Sequence, residues 1–173
     1  TVKDVLDLAW AEADKTEIST QSTNLTEVME ELFEITTQLA KSKGLEVTKR
    51  FEKNVYVSGS RDKIFQALLN IVDNAIKYTP RGTIALYLAT AIGEAVVKVK
   101  DTGEGIADED LVHIFDRFYR GKKSGRVDGS GLGLAIAHAI FTTFGGSIIV
   151  TSTPNKGTVF TNILLIKKHE STT

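Results

Sequence analysis

The stretch Asp62–Pro80, DKIFQALLNIVDNAIKYTP, decides how the rest of the chain is read. Its apolar residues recur at helical spacing: Ile64, Leu68, Ile71, Val72 and Ala75 form one row, and Phe65, Leu69 and Ile76 widen it around the cylinder. A helix over 60–78 with so broad an apolar surface must be mostly buried. One polar stripe crosses it, Gln66, Asn70, Asp73, Asn74 and Lys77, at i, i+4, i+7, i+8 and i+11, offsets that share a face. Buried polar groups without partners cost about 1–3 kcal/mol each, so the stripe needs water or a ligand. Taken alone, it fits a solvent-facing side or a ligand face. As a ligand face it offers amide oxygens to Mg2+, a hard cation, and the Lys77 ammonium to phosphate.

Upstream of this helix, residues 1–15 read as a helix with Val5, Leu6, Leu8, Ala9 and Ala13 on its apolar side, and 16–23 are polar and β-compatible. Asn24 is a good N-cap, and Glu27 three residues on gives a capping-box-like start. The helix that follows carries Leu25, Val28, Leu32, Ile35 and Leu39 at spacings of three and four, and Gly44 ends it. Leu45–Phe51 and Val55–Val57 alternate like half-buried strands. Downstream, the turn Pro80-Arg81-Gly82 leads into strands at 83–90 and 95–101. Residues 102–130 are Gly-rich and charged, with a short helix expected at 108–114. A helix over 132–144 and strands at 147–151 and 158–166, joined by the turn Pro154-Asn155-Lys156-Gly157, complete the pattern. This order predicts an α+β fold with three long helices on a mixed, mostly antiparallel sheet of about five strands.

Composition narrows the function classes. With 173 residues the chain fits one domain plus a short appendage, and 42% hydrophobic residues suffice for a core. The formal net charge of -1 gives no basic field for nucleic acid. The absence of cysteine excludes disulfides and thiolate metal sites and suits a cytoplasmic setting. No apolar stretch approaches the roughly 20 residues of a membrane helix, and the N-terminus lacks a signal-peptide pattern.

Two further segments carry chemistry. Asp101-Thr102-Gly103-Glu104-Gly105-Ile106 directly follows a strand: the glycines permit unusual backbone angles and close ligand approach, and a strand-end Asp can accept from an exocyclic amine. A plain Gly-rich turn with a capping Asp fits the same letters. Gly129-Ser130-Gly131-Leu132-Gly133-Leu134 opens a helix, whose free N–H groups and positive dipole end suit phosphate. It is neither a Rossmann loop, lacking the preceding strand, nor a P-loop, lacking the Lys-Ser/Thr pair. Between them, Ile114-Phe115-Asp116-Arg117-Phe118-Tyr119-Arg120-Gly121-Lys122-Lys123 interleaves aromatics with cations. These charges suit a polyphosphate, with Phe115 and Phe118 expected to anchor a mobile loop.

In this order the segments resemble the N box (Asp62–Pro80), first Gly box (Asp101–Ile106), F box (Ile114–Arg120) and second Gly box (Gly129–Leu134) of the sensor histidine-kinase catalytic domain. Gly157-Thr158-Val159-Phe160 resembles its last, GT-containing box. That family shares a superfamily with DNA gyrase B, large heat-shock chaperones and MutL, and the resemblance implies a Bergerat-type α/β sandwich. It also implies ATP and Mg2+ as cofactors. Asn74 matches the metal-coordinating residue, with Asn70 assisting one turn earlier. Lys77 and Tyr78 match phosphate and nucleoside contacts, and Asp101 matches the reader of the adenine amino group. Gly103, Gly105 and Ile106 match residues that let the base lie close, and Thr158 supports that contact through water. Arg117, Arg120 and Lys122 would meet the phosphates, Phe118 is among the expected nucleotide-binding residues, and Asn70, Asn74, Lys77 and Arg117 are the expected catalytic set. Residues 107–130 would be the lid over ATP, with Gly129, Gly131 and Gly133 as its hinge onto the helix, and Ser130, Leu132 and Leu134 join those glycines as expected nucleotide-binding residues. Phe144 stands where the family often has His before Gly-Gly, away from the nucleotide chemistry.

The family's acceptor is a histidine on a preceding helical hairpin, and His113, His138 and His169 do not lie on such a helix. Residues 1–15 resemble the end of that hairpin's second helix, 16–167 the ATP-binding domain, and 168–173 a polar tail. The expected partners are the upstream dimerisation and phosphoacceptor domain and a response-regulator receiver domain. The whole protein is expected to be a homodimer whose catalytic part faces the cytoplasm, with room for a membrane anchor upstream. Hydrolases of the superfamily resemble each other in placing a Glu four residues before the metal-binding Asn as general base. Here that position is Asn70, and an amide does not take a proton at neutral pH. A related ATPase, a serine kinase of the anti-sigma type and a nucleotide-binding signalling domain remain as alternatives.

Overall fold

The computed structural model describes Val5, Ala9 and residues 21–121 and 131–168. Most of the expected helix at 1–15, residues 16–20, the segment 122–130 and the tail at 169–173 lie outside the described residues. Helix α1 (Leu25–Lys41) begins as its sequence dictates: the Asn24 side chain accepts from the Glu27 N–H at 3.2 Å. Its interior face is Leu25, Val28, Met29, Leu32, Thr36 and Ala40. Leu39, expected inside, is exposed: the buried face runs through Leu32, Thr36 and Ala40, and the Thr36 hydroxyl is satisfied by the Leu32 carbonyl (2.6 Å).

A two-stranded ribbon of β1 (Ser22–Asn24) and β3 (Tyr56–Ser58) pairs antiparallel. The main sheet has five strands: β2 (Glu46–Phe51), β4 (Thr83–Ala91), β5 (Glu94–Asp101), β6 (Ser147–Thr153) and β7 (Gly157–Leu165), in the order β2-β4-β5-β7-β6. All neighbours are antiparallel except β2 and β4. That parallel pair needs a long crossover, which includes helix α2 (Arg61–Lys77). Helix α3 (Asp108–Leu111) is a single turn, and helix α4 spans Gly133–Thr143. The last two strands reach further than the sequence suggested, to Thr153 and back to Gly157, around a tight turn with Asn155 at φ 62°. The short helix expected at 108–114 stops at Leu111, since it buries no side chain that packing would hold.

Alternation sets which face is core. On β5 the buried row is Ala95, Val97, Val99 and Asp101, and its partners on β7 are Leu164, Asn162, Phe160 and Thr158. Helices α1, α2 and α4 pack against the sheet and α2 packs on both others, burying the apolar row of α2 (Ile64, Leu68, Ile71, Val72 and Ala75). The buried row of the central strands therefore runs apolar for most of its length and ends in a polar pair, Asp101 opposite Thr158.

Candidate functional site

That polar end is the floor of a cleft of about 270 Å³. The last turn of α2 brings Asn74 and Tyr78 to it, β5 brings Asp101, β7 brings Thr158, and the loop after β5 brings Glu104, Gly105, Ile106 and Ala107. Glu109, Asp110 and Ile114 line another wall, with Tyr119, Arg120 and Gly121, and Leu134 of α4 and Pro154 complete it.

Asp101 is 5% exposed. Its Oδ1 accepts from the Gly103 N–H at 2.9 Å. Burial pushes this carboxyl above its ordinary value, against the opposing pull of the Gly103 N–H, the Thr158 backbone and the Thr79 hydroxyl. Thr79 is fully buried with its hydroxyl beside the same carboxylate, close enough to pull on it, but among the described residues its Oγ1 meets no group with full hydrogen-bond geometry. A buried carboxylate and an orphaned buried hydroxyl beside it mark a place for a donor-bearing ligand or water. Thr158 is held from the other side: its Oγ1 lies 2.8 Å from Ser152 Oγ, which accepts from the Ile106 N–H at 2.7 Å and donates to the Gly157 carbonyl at 3.0 Å.

The loop after β5 is wedged against the β6–β7 turn. Gly105 sits at φ +71°, and a side chain there would run into the Thr153 carbonyl. Gly105→Ala is expected to lower stability by about 1–3 kcal/mol, read as a shifted midpoint in urea denaturation; an unchanged midpoint would mean that the loop retreats freely.

The Tyr119 phenol donates to Asp110 Oδ1, and that bond is the main cause raising the phenol's pKa. It ties the irregular segment ending at Gly121 to α3, and both residues line the cleft. The two described histidines have local roles. His113 Nδ1 lies 2.8 Å from Asp116 Oδ2 and its ring 5.2 Å from that of Tyr119, while the His138 ring lies 5.0 Å from Phe115, which packs on the core. His169 is outside the described residues.

Of the residues expected from sequence, the structure brings Asn74, Tyr78, Asp101, Gly105, Ile106, Arg120, Leu134 and Thr158 to one cleft. Gly103 lies beneath it, against the Tyr78 carbonyl and Thr79. Asn70 does not line the cleft; its Nδ2 donates to the Gly133 carbonyl at 3.2 Å and ties α2 to the start of α4. Lys77 pairs with Asp73 at 2.9 Å on an exposed face, and Arg117 is exposed outside the lining. The expectation that Phe118 anchors the loop is corrected. Phe118 is 64% exposed with φ 61°, and its N–H donates to the Gly131 carbonyl at 3.0 Å, so Phe115 alone of the pair packs on the core. Leu132 is fully buried as a core residue. Gly129, Ser130 and Lys122 are outside the described residues. Sequence reading missed Thr79, Ser152 and Asp110. Thr79 stood in the quoted KYTP, but Ser152 is found only through its register opposite Thr158.

Residues 59–168 match the family described as Histidine kinase-, DNA gyrase B-, and HSP90-like ATPase, and the chain belongs to that family. Within it, the chain is similar to the sensor histidine kinase WalK of Bacillus subtilis, 39% identical over 124 residues, which is 69% of this chain and 20% of WalK. It is 34% identical to the sensor protein SrrB of Staphylococcus aureus over 162 residues, 92% of this chain and 28% of SrrB. The chain thus spans well under a third of the curated relatives it matches. Among solved structures, full-length ShkA in complex with AMPPNP superimposes with a TM-score of 0.85 at 27% identity, covering 98% of this chain and 36% of ShkA. The catalytic domain of the histidine kinase ThkA gives 0.73 at 27% identity, covering 84% of this chain and 94% of that domain. The five-stranded, mostly antiparallel sheet under its helices is the Bergerat-type architecture of these catalytic domains.

Proposed function

We propose that this chain binds Mg-ATP in the cleft and donates the γ-phosphate to a histidine on a helical hairpin of the whole protein, for relay to a response-regulator aspartate. The observation that carries the reading is that Asp101, a buried acceptor, and Asn74, an oxygen-bearing amide, line one cleft with Arg120. Asp101 would take the adenine amino group, with Thr79 and Thr158 supporting it through water. Asn74 would hold Mg2+, with Asn70 assisting from its tie to Gly133, and Lys77, Arg117 and Arg120 would meet the phosphates. Mg2+, when bound, offsets the charge of the phosphate oxygens. Residues 107–130 are the proposed lid, with Gly129, Gly131 and Gly133 as its hinge.

Asn70 supports a kinase over a hydrolase: an amide whose NH2 is committed to the Gly133 carbonyl is no general base for water. In the domain plan we propose, 1–15 end the hairpin and 16–167 form the catalytic domain. The whole protein would be a homodimer with its catalytic part in the cytoplasm. Among the described residues no helix is long and apolar enough to cross a membrane. The test is calorimetric titration with ATP and GTP, each with and without Mg2+. ATP binding strengthened by Mg2+ and exceeding GTP binding is expected, and equal affinity for the two nucleotides would defeat the reading.

A further inference from the structure

Helix α2 ends at the cleft, and its last turn carries Asn74, Lys77 and Tyr78. The last carbonyls of any helix lack intrahelical partners and carry the negative end of its dipole. Here a residue from the turn that follows another helix supplies the partner. Lys43, just past α1, points its Nζ at the Ile76 carbonyl (2.6 Å) and the Lys77 carbonyl (3.3 Å), 33 and 34 residues away. Its own backbone is fixed by the turn that ends α1, with the Lys43 N–H on the Ala40 carbonyl and the Gly44 N–H on the Lys41 carbonyl, both at 3.1 Å.

The same turn of α2 is stitched to the rest of the site. The Tyr78 N–H donates to the Asn74 carbonyl at 3.2 Å, the Tyr78 carbonyl accepts from the Glu104 N–H at 3.1 Å, and the Thr79 N–H reaches the Ile76 carbonyl at a long 3.4 Å. The Ile76 carbonyl thus has only weak backbone partners, the Tyr78 and Thr79 N–H groups, and one short, charge-assisted side-chain partner. Lys43 adds a side-chain partner to a helix end whose flanking backbone bonds are 3.1–3.4 Å long, and helix ends are where fraying starts.

We infer that Lys43 is a positioning residue for the nucleotide site: by capping α2 it holds Asn74 and Tyr78 where the ligand needs them, without touching the ligand itself. This rests on the Mg-ATP reading above. A cap that acts on Asn74 should matter most for the part of binding that depends on Mg2+, and least for base contacts made by Asp101 on β5.

The experiment compares the full chain with Lys43→Met, which keeps the aliphatic stem, and Lys43→Arg, which keeps charge and donors. ADP affinity is measured by calorimetry in Mg2+ and in EDTA, and amide exchange at Tyr78 and Thr79 is followed without ligand. In Lys43→Met the ratio of the two affinities should fall roughly three- to tenfold, the scale of a charge at a helix terminus. Exchange at both amides should quicken, and Lys43→Arg should restore most of each. A purely structural role would lower both affinities in parallel and leave their ratio unchanged, which would overturn the inference, as would an unaltered Lys43→Met or a failed Arg rescue. If the parent chain binds no ADP in either buffer, the nucleotide reading itself falls, and this inference with it.

Discussion

Replacing Asp101 with alanine should weaken ATP binding roughly 10- to 100-fold, because a hydrogen bond to a charged group contributes about 1.5–3 kcal/mol. In the proposed site the carboxylate would accept from an amino group that adenine has and guanine lacks at the equivalent ring position, so the variant should also lose the expected preference for ATP over GTP. Calorimetry on both nucleotides reads this directly. Undiminished ATP affinity in the variant would remove Asp101 from the base contact.

Asp101→Asn separates binding from folding. Burial holds the Asp101 carboxyl above its ordinary value of 3.8, so the native state takes up this proton more readily than the unfolded chain. The stabilising contribution of the group is therefore full below that unfolded value and is lost as pH rises through the raised native value. At neutral pH the parent bears that loss and the amide does not, while the amide oxygen can still accept from the Gly103 N–H. Asp101→Asn should melt above the parent near pH 7, with the gap closing in acid, and should bind ATP less well.

The fold was legible where one physical signal dominated. The apolar row of α2 and the Asn24 cap of α1 could be read from spacing and residue type, and the turns around Gly82 and Gly157 punctuated the strands. The cleft was legible in part, since Asp101 and Asn74 stood in separate segments that only their order connected. What escaped was contact across long separations. Lys43 reads as one more surface cation, and only the packing of α1 beside α2 sets it on the Ile76 carbonyl. Thr79 reads as part of a turn, and its orphaned hydroxyl beside Asp101 emerges only when β5 passes under the end of α2. Phe118 misled for a related reason. Aromatic residues usually bury, but its left-handed backbone, tied to Gly131, leaves the ring exposed.

The largest expected effect concerns phosphate transfer. Supplied with the hairpin of the whole protein as a separate piece, this chain should label the hairpin's histidine from γ-labelled ATP, and alone it should label itself hardly at all. His113 is occupied with Asp116, and the His138 ring lies tilted against Phe115. Asn74→Ala and Asn74→Asp should each cut transfer by roughly 100-fold or more, the scale seen when one preorganised polar contact to developing charge is removed. Asn74 lies on α2 and Asp101 on β5, so the base contact should survive and ADP should still bind measurably to both variants. That split, transfer lost and ADP retained, is what a metal-holding amide predicts and what a misfolded variant cannot produce. Transfer near the parent rate in either variant would remove Asn74 from the metal role. Rapid labelling of the isolated chain, stable to acid as a serine ester is and a histidine phosphoramidate is not, would replace the histidine reading with a serine-kinase one.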